Sequence, residues 1–206
     1  MISSEPARSP TRRFRIRRGR IAGLLVAAVA VAGAVRHEPA AQSPARHSAG
    51  GEPSRPLGEA DGAVPDHATV FDDAIPGVAR LDPALLAALR QAATEAAADG
   101  VTFVVDSGWR SRAYQRHLLR EAVAKYGSAA EAARWVAAPG RSAHVSGDAV
   151  DLAGDAAAWL AGHGAAHDLC PIYGNEPWHY ELRPGAAERG CPPPYEDPTH
   201  DPRMQR

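Results

Sequence analysis

Four side chains in two short stretches have the types and spacing for joint chemistry. GRSAHVSGDAVDLAG (140–154) carries His144 seven residues before Asp151, and NEPWHYEL (175–182) carries Glu176 three residues before His179. An imidazole nitrogen and a carboxylate oxygen are both suitable zinc ligands. A seven-residue step along one straight strand would set His144 and Asp151 on opposite faces. The pair therefore needs a bend or bulge, which Ser146-Gly147 can supply. Ala143, Gly147 and Ala149 leave room for a metal and a substrate. Taken alone, this pair reads more readily as an ordinary polar loop than as a metal site. The second stretch adds a third ligand type, His179, with a carboxylate beside it. Three protein ligands leave a fourth position for water, and a carboxylate that does not ligate can serve as general base. Pro177 restricts the turn between Glu176 and His179. The competing reading of NEPWHYEL is an edge strand with an exposed Glu and packed aromatics.

Other catalytic systems are missing. A serine peptidase of the penicillin-binding type needs S-x-x-K, but the only lysine, Lys125, has Ala122 three residues before it. G-x-S-x-G, H-E-x-x-H and a Gly-rich phosphate loop after a strand are absent. His163 and His167 stand at i, i+4 in HGAAH. Gly162 and Gly164 argue against a firm helix there, so both are expected on the surface. His117 falls on an expected helix, exposed or partly packed.

The elements that must position these residues follow from local signals. Asp82 caps and Pro83 opens a helix that Gly100 ends. VTFVVD (101–106) reads as a buried strand. Ser111 starts a second helix ended by Gly127, and Ser128 with Glu131 forms a capping box for a short third one. Strands are expected near DAVDLA and PWHYELR (177–183), with a helix from about Asp155 between them. Helices come first and short strands cluster late. The expected class is α+β, a small, mainly antiparallel sheet with flanking helices.

Charge and composition divide the 206-residue chain further. Residues 1–20 carry seven Arg and one Glu, so the rest is net acidic. No basic patch follows, which disfavours nucleic acid as a partner. Residues 21–35 are fifteen residues without a charge. After a basic n-region this is read as a short anchor in the cytoplasmic membrane whose flanking arginines snorkel, with a cleaved signal h-region and secretion as the alternative. The arginines put residues 1–20 in the cytoplasm and the remainder outside. Residues 36–66, with five prolines and four glycines, are expected as a linker. The folded domain is expected over 67–195 and a flexible tail over 196–206. Cys170 and Cys191 form an even pair, which outside the cytoplasm favours a disulfide. They bracket Glu176 and His179 and would pin that strand.

S-A-H-V-S-G-D-A-V-D (142–151) together with E-P-W-H-Y (176–180) resembles the VanY-type zinc D,D-carboxypeptidases, related to the VanX D,D-dipeptidases. The pattern S-x-H-x-x-G-x-A-x-D is met at Ser142, His144, Gly147, Ala149 and Asp151. SGWRSRAYQ (107–115) is similar to the family's S-G-[aromatic]-R-S with a following Gln, with Trp109 where Tyr is more usual. Across about 67–185 the resemblance implies the fold shared by zinc D,D-peptidases and the hedgehog signalling domain. It implies one zinc per chain on His144, Asp151 and His179, with Glu176 as acid/base. It further implies that Arg110 stabilises the developing charge or binds the substrate carboxylate, with Gln115 and Ser142 as weaker substrate contacts. The activity implied is removal of the terminal D-Ala from peptidoglycan precursors ending in D-Ala-D-Ala, with glycopeptide resistance or cell-wall remodelling as the outcome. A D,D-dipeptidase, a cross-link endopeptidase and a catalytically silent zinc module are the alternatives.

Overall fold

The computed structural model describes residues 56–205. The apolar segment 21–35, the basic residues 1–20 and most of the expected linker lie outside the described residues. Among the described residues, no helix is long and apolar enough to cross a membrane.

Helix α1 (Pro76–Ala79) is a single turn that leads into α2 (Pro83–Ala96). The Asp82 carboxylate accepts from Ala84 N–H at 2.9 Å and Leu85 N–H at 3.1 Å, satisfying donors that α2 cannot pair within itself. One stripe of α2, Leu85, Leu89, Ala92, Ala93 and Ala96, is buried. A 3-10 turn and Gly100, at φ 76°, end it. Helix α3 (Arg112–Tyr126) starts on the Ser111 hydroxyl, which accepts from Tyr114 N–H, and α4 (Ala129–Ala133) starts on Ser128. After α5 (Ala143–Ser146) and α6 (Gly154–His163), a last turn, α7 (Ala186–Arg189), follows the sheet.

Strands β1 (Val105–Ser107), β2 (Ala149–Leu152), β3 (Leu169–Tyr173) and β4 (Glu176–Leu182) form one antiparallel sheet in the order β1-β2-β4-β3. Two registers matter most. Asp151 faces His179 across β2 and β4, and Ser107 faces Asp151 across β1 and β2. Because side chains alternate along a strand, Val150, Leu152 and Tyr180 join the apolar cluster with Leu85, Leu89, Phe103, Trp159 and Leu160. Asp151, His179 and Glu181 are left for the other face, which is also buried.

The structure departs from the expected elements in several places, first in the edge strand β3 (Leu169–Tyr173), which no local signal announced. The strand expected over 101–106 is short and late: only Val105–Ser107 joins the sheet. Val104 makes an isolated bridge to Thr69, and Val105 N–H donates to Ala68 O. His144 is not on a bent strand but on the one-turn helix α5. Gly147 ends that turn at φ 87°, with the Arg80 carbonyl so close that a Cβ would meet it at 2.5 Å. The end of the expected linker belongs to the fold: Glu59–Asp61 is a 3-10 turn, and Asp61, 7% exposed, accepts from the Ser111 hydroxyl. The expected flexible tail is ordered over its described residues. It holds two 3-10 turns, Pro198–His200 and Pro202–Met204, each capped by a fully buried aspartate, Asp197 and Asp201.

Candidate metal centre

Each ligand atom is delivered by a different piece of backbone. The short helix α5 carries His144, the middle of β2 carries Asp151, and β4 carries His179 opposite it. Asp151 Oδ1 lies 3.0 Å from His179 Nδ1 and 3.4 Å from His144 Nε2, and the two nitrogens are 3.2 Å apart. A tetrahedral ion with bonds of about 2.0–2.1 Å holds its ligands roughly 3.3 Å apart, so the trio already has the spacing of such a site. All three side chains are buried, and this cluster can hold a metal ion.

The far nitrogens of both imidazoles have acceptors. His144 Nδ1 is 2.9 Å from Gly108 O, and His179 Nε2 is 3.3 Å from Glu181 Oε1. An N–H donated to each acceptor leaves His144 Nε2 and His179 Nδ1 with their lone pairs toward Asp151, the arrangement that a metal-ligating histidine needs. Gly108 can stand so close because it has no side chain: a Cβ there would meet Gly77 O at 2.1 Å. The donor set of two imidazoles and one carboxylate, oriented from behind, fits zinc.

Electrostatics agree with a site built around positive charge. Burial alone would raise the Asp151 carboxyl, but His144, His179 and Arg110 hold it well below the usual carboxylate range. Burial together with the Arg110 charge lowers His144. Burial also disfavours charge on His179, yet its hydrogen bonds to Asp151 and Glu181 favour the imidazolium, and a metal binding at Nδ1 would displace the proton shared with Asp151. Glu181 is opposed by burial and brought down to about 2 by hydrogen bonds from His179 and Arg203.

Glu176 opens β4 at the tip of the β3–β4 hairpin, where Tyr173 faces it across the two-residue loop Gly174–Asn175. Its Oε2 is 3.9 Å from His179 Nδ1. Its Oε1 is buried and accepts no hydrogen bond. Burial pushes the carboxyl up to about 7, against the lowering effect of His179. Pro177 follows at a point where β4 has run past the last paired residue of β2, so its missing N–H costs the sheet little.

Arg110 lies beside the cluster. Its Nη2 donates to Asp151 Oδ2 at 2.7 Å, its Nε to Ser107 Oγ at 2.6 Å and its Nη1 to Gln115 Oε1 at 3.2 Å. Gln115 is only 1% exposed and spans from Arg110 to Ala137 O, which its amide reaches at 2.9 Å. It is therefore a brace for Arg110 as well as part of the cavity wall. Ser142 is buried at the head of α5 and lines the same cavity, without capping the turn. Trp109 does not line it; the Arg80 guanidinium lies 4.3 Å from its ring. The cavity measures about 490 Å³ and runs from the three ligands and Glu176 to Lys125, Tyr126 and Trp135.

The remaining sequence candidates separate cleanly. Cys170 and Cys191 are disulfide-bonded and fix the β3 side of the hairpin to the segment after α7. Against expectation, α6 runs through Gly162 to His163 and a 3-10 turn continues to His167, whose side chain is largely covered; His163 stacks on Trp159 and His167 pairs with Glu95 at 3.0 Å, so neither joins a metal cluster among the described residues. Glu181 was missed from the sequence. Its signal is its place two residues after His179, on the same side of β4.

Residues 78–184, just over half of the chain, match the VanY model, described as D-alanyl-D-alanine carboxypeptidase. The chain belongs to that family. A D-alanyl-D-alanine carboxypeptidase of Enterococcus faecalis (strain ATCC 700802 / V583) is 32% identical over 127 residues, 49% of this chain and 47% of the relative. The chain thus spans about half the length of the curated relative it matches. The LdcB LD-carboxypeptidase shares the fold, at TM-score 0.50 and 22% identity over 63% of this chain and 71% of that one. A structure of VanYB in complex with D-alanine-D-alanine gives TM-score 0.49 and 29% identity over 53% of this chain and 74% of that one. The VanY match contains all three ligands together with Glu176, Arg110, Gln115 and Ser142.

Proposed function

We propose that this chain is a zinc-dependent D,D-carboxypeptidase that removes the C-terminal D-Ala from peptidoglycan precursors ending in D-Ala-D-Ala. The observation that carries the reading is Glu176: a buried carboxylate with one oxygen unpartnered, set beside three converging ligands in the wall of a cavity. A site that only bound metal would have no use for such a group.

His144, Asp151 and His179 would hold the ion, which when bound makes water more acidic and polarises a carbonyl. Glu176 takes the proton from the attacking water and passes it to the leaving amine of D-alanine. The raised carboxyl suits both halves of that transfer near neutral pH. Arg110 has three donors committed to Ser107, Gln115 and Asp151. Its remaining N–H groups serve negative charge in the cavity, either the substrate carboxylate or the oxygen of the scissile carbonyl. Ser142 contributes a hydroxyl to the cavity wall.

The setting proposed is extracytoplasmic, with residues 21–35 as a membrane anchor or a cleaved signal. The basic residues before that segment and the Cys170–Cys191 disulfide support export. Shortened precursor stems would lower glycopeptide binding or remodel the wall.

D-alanine release from a peptide ending in D-Ala-D-Ala tests the reading, with the zinc-loaded chain and Glu176→Ala side by side. Release by the parent, strongly reduced in the variant, is expected. No release by folded, zinc-loaded parent would overturn it.

A further inference from the structure

The last stretch of the chain lies beyond residues 78–184, which the family model matches, yet it reaches the metal centre by two routes. Arg203 grips Glu181 with both arms of its guanidinium, Nη1 to Oε2 at 2.7 Å and Nη2 to Oε1 at 3.1 Å. Oε1 is the same oxygen that faces His179 Nε2 at 3.3 Å. By the second route, the Tyr173 hydroxyl donates to Asp201 at 3.0 Å, and the Tyr173 ring centre lies 5.1 Å from that of His179.

The segment is held firmly enough to act at a distance. Tyr195 N–H donates to Ile172 O, and Gly174 N–H donates to Tyr195 O, so this stretch pairs along β3 and the hairpin loop. Asp197, fully buried, takes Arg134 Nε at 2.8 Å and the Thr199 N–H at 2.8 Å. Pro198 and Met204 form part of the cavity wall.

We propose that residues 195–205 are a strap belonging to the metal centre, in which Arg203 acts through Glu181 to fix the ring of His179. Arg203 is thus a positioning residue, an assignment that rests on the zinc reading above. The physical reason is that Glu181 is a buried carboxylate with two cations competing for its orientation. Arg183 Nη2 reaches only Oε2, at 3.0 Å. Arg203 engages both oxygens in the planar fork that suits a carboxylate. Without Arg203, Glu181 turns toward Arg183, Oε1 leaves His179, and the imidazole loses the acceptor that sets its tautomer and angle.

The test is zinc affinity of the full chain, measured by competition with a chromophoric chelator and independent of any peptide substrate. Arg203→Met is expected to weaken zinc binding about 10-fold or more, in the range of ~10–100-fold typical of groups that orient a ligand. Arg203→Lys, which keeps the charge but not the fork, is expected to restore only part of it. Arg183→Met is expected to lose less than Arg203→Met. Zinc bound by folded Arg203→Met as tightly as by the parent would overturn the proposal, as would equal losses in the two Met variants. If Arg203→Met does not fold, Glu181→Gln takes its place and is expected to weaken binding, with parent-like affinity overturning the proposal. A parent that binds no zinc would sink the metal reading itself, whereas tight binding by parent and variants alike sinks only the strap.

Discussion

The two faces of the four-stranded sheet are built on opposite terms. On one, Val150, Leu152 and Tyr180 pack against α2 and α6, and the Tyr180 hydroxyl, the polar atom of this trio's side chains, donates to Ala157 O at 2.9 Å. On the other, Asp151, His179 and Glu181 occupy the alternate positions of the same strands and are buried as well. There, satisfaction comes through a dense set of charged contacts, and at the hairpin tip beside them Glu176 Oε1 and Asn175 Oδ1 are left over. The apolar face holds the strands in register, and the register brings Asp151 opposite His179. The polar face uses that register and adds little of its own to cohesion, because burying charges costs about as much as pairing them returns.

Changing Glu176, with its unpartnered oxygen, should therefore strike turnover and spare the fold, and changes on the apolar face the reverse. The largest effect is expected at Glu176→Gln, where D-alanine release should fall by about 10²–10⁴-fold, the usual contribution of a general base. Its melting temperature should match the parent's, and a large drop would merge the two faces into one stabilising unit. Next, Leu89→Ala on α2 empties a fully buried position and should cost about 2–5 kcal/mol in denaturant unfolding. Turnover per folded molecule should stay unchanged, and a fall in kcat well below the melting range would break the division.

Gln115→Ala tests the boundary between the faces. It removes the brace between Arg110 and Ala137 O, should cost about 1–3 kcal/mol for the partners left buried, and should lower activity as well. A stability loss with no change in kcat or KM would remove Gln115 from the site. The smallest effect concerns pH. Burial would raise Asp197, but hydrogen bonds from Thr199, Arg134 and His200 bring it to about 2, below the ordinary 3.8. A lowered carboxyl contributes stability above pH 3.8 that is lost as pH falls toward about 2. Asp197→Asn should flatten that acid limb in unfolding measured across the range. An unchanged limb would place the acid sensitivity elsewhere.

The sequence made the chemistry more legible than its support. His144, Asp151, Glu176 and His179 stand out because such side chains are rare in small-residue loops and aromatic strands, and the structure brings all four together. The cap at Asp82 and the stop at Gly100 were equally readable, since both depend on neighbours within one stretch of chain. The turn carrying His144 was not, because a four-residue helix is too short to show a period. Glu181 was hidden for another reason: its partner Arg203 is 22 residues away, and no local pattern marks a pair formed across a strap. Asp61, Asp197 and Asp201 escaped in the same way, within Pro-rich composition that usually signals loose chain. There, tightly hydrogen-bonded aspartates and prolines shape turns against the sheet instead.

The most direct test of the two-faced sheet is a zinc titration of the metal-free chain beside Asp151→Asn and Leu89→Ala, with bound metal counted per folded molecule. One zinc per chain in the parent and in Leu89→Ala, with binding lost or severely weakened in Asp151→Asn, is the predicted result. Tight stoichiometric zinc in Asp151→Asn would contradict the account by placing the metal somewhere other than the polar face.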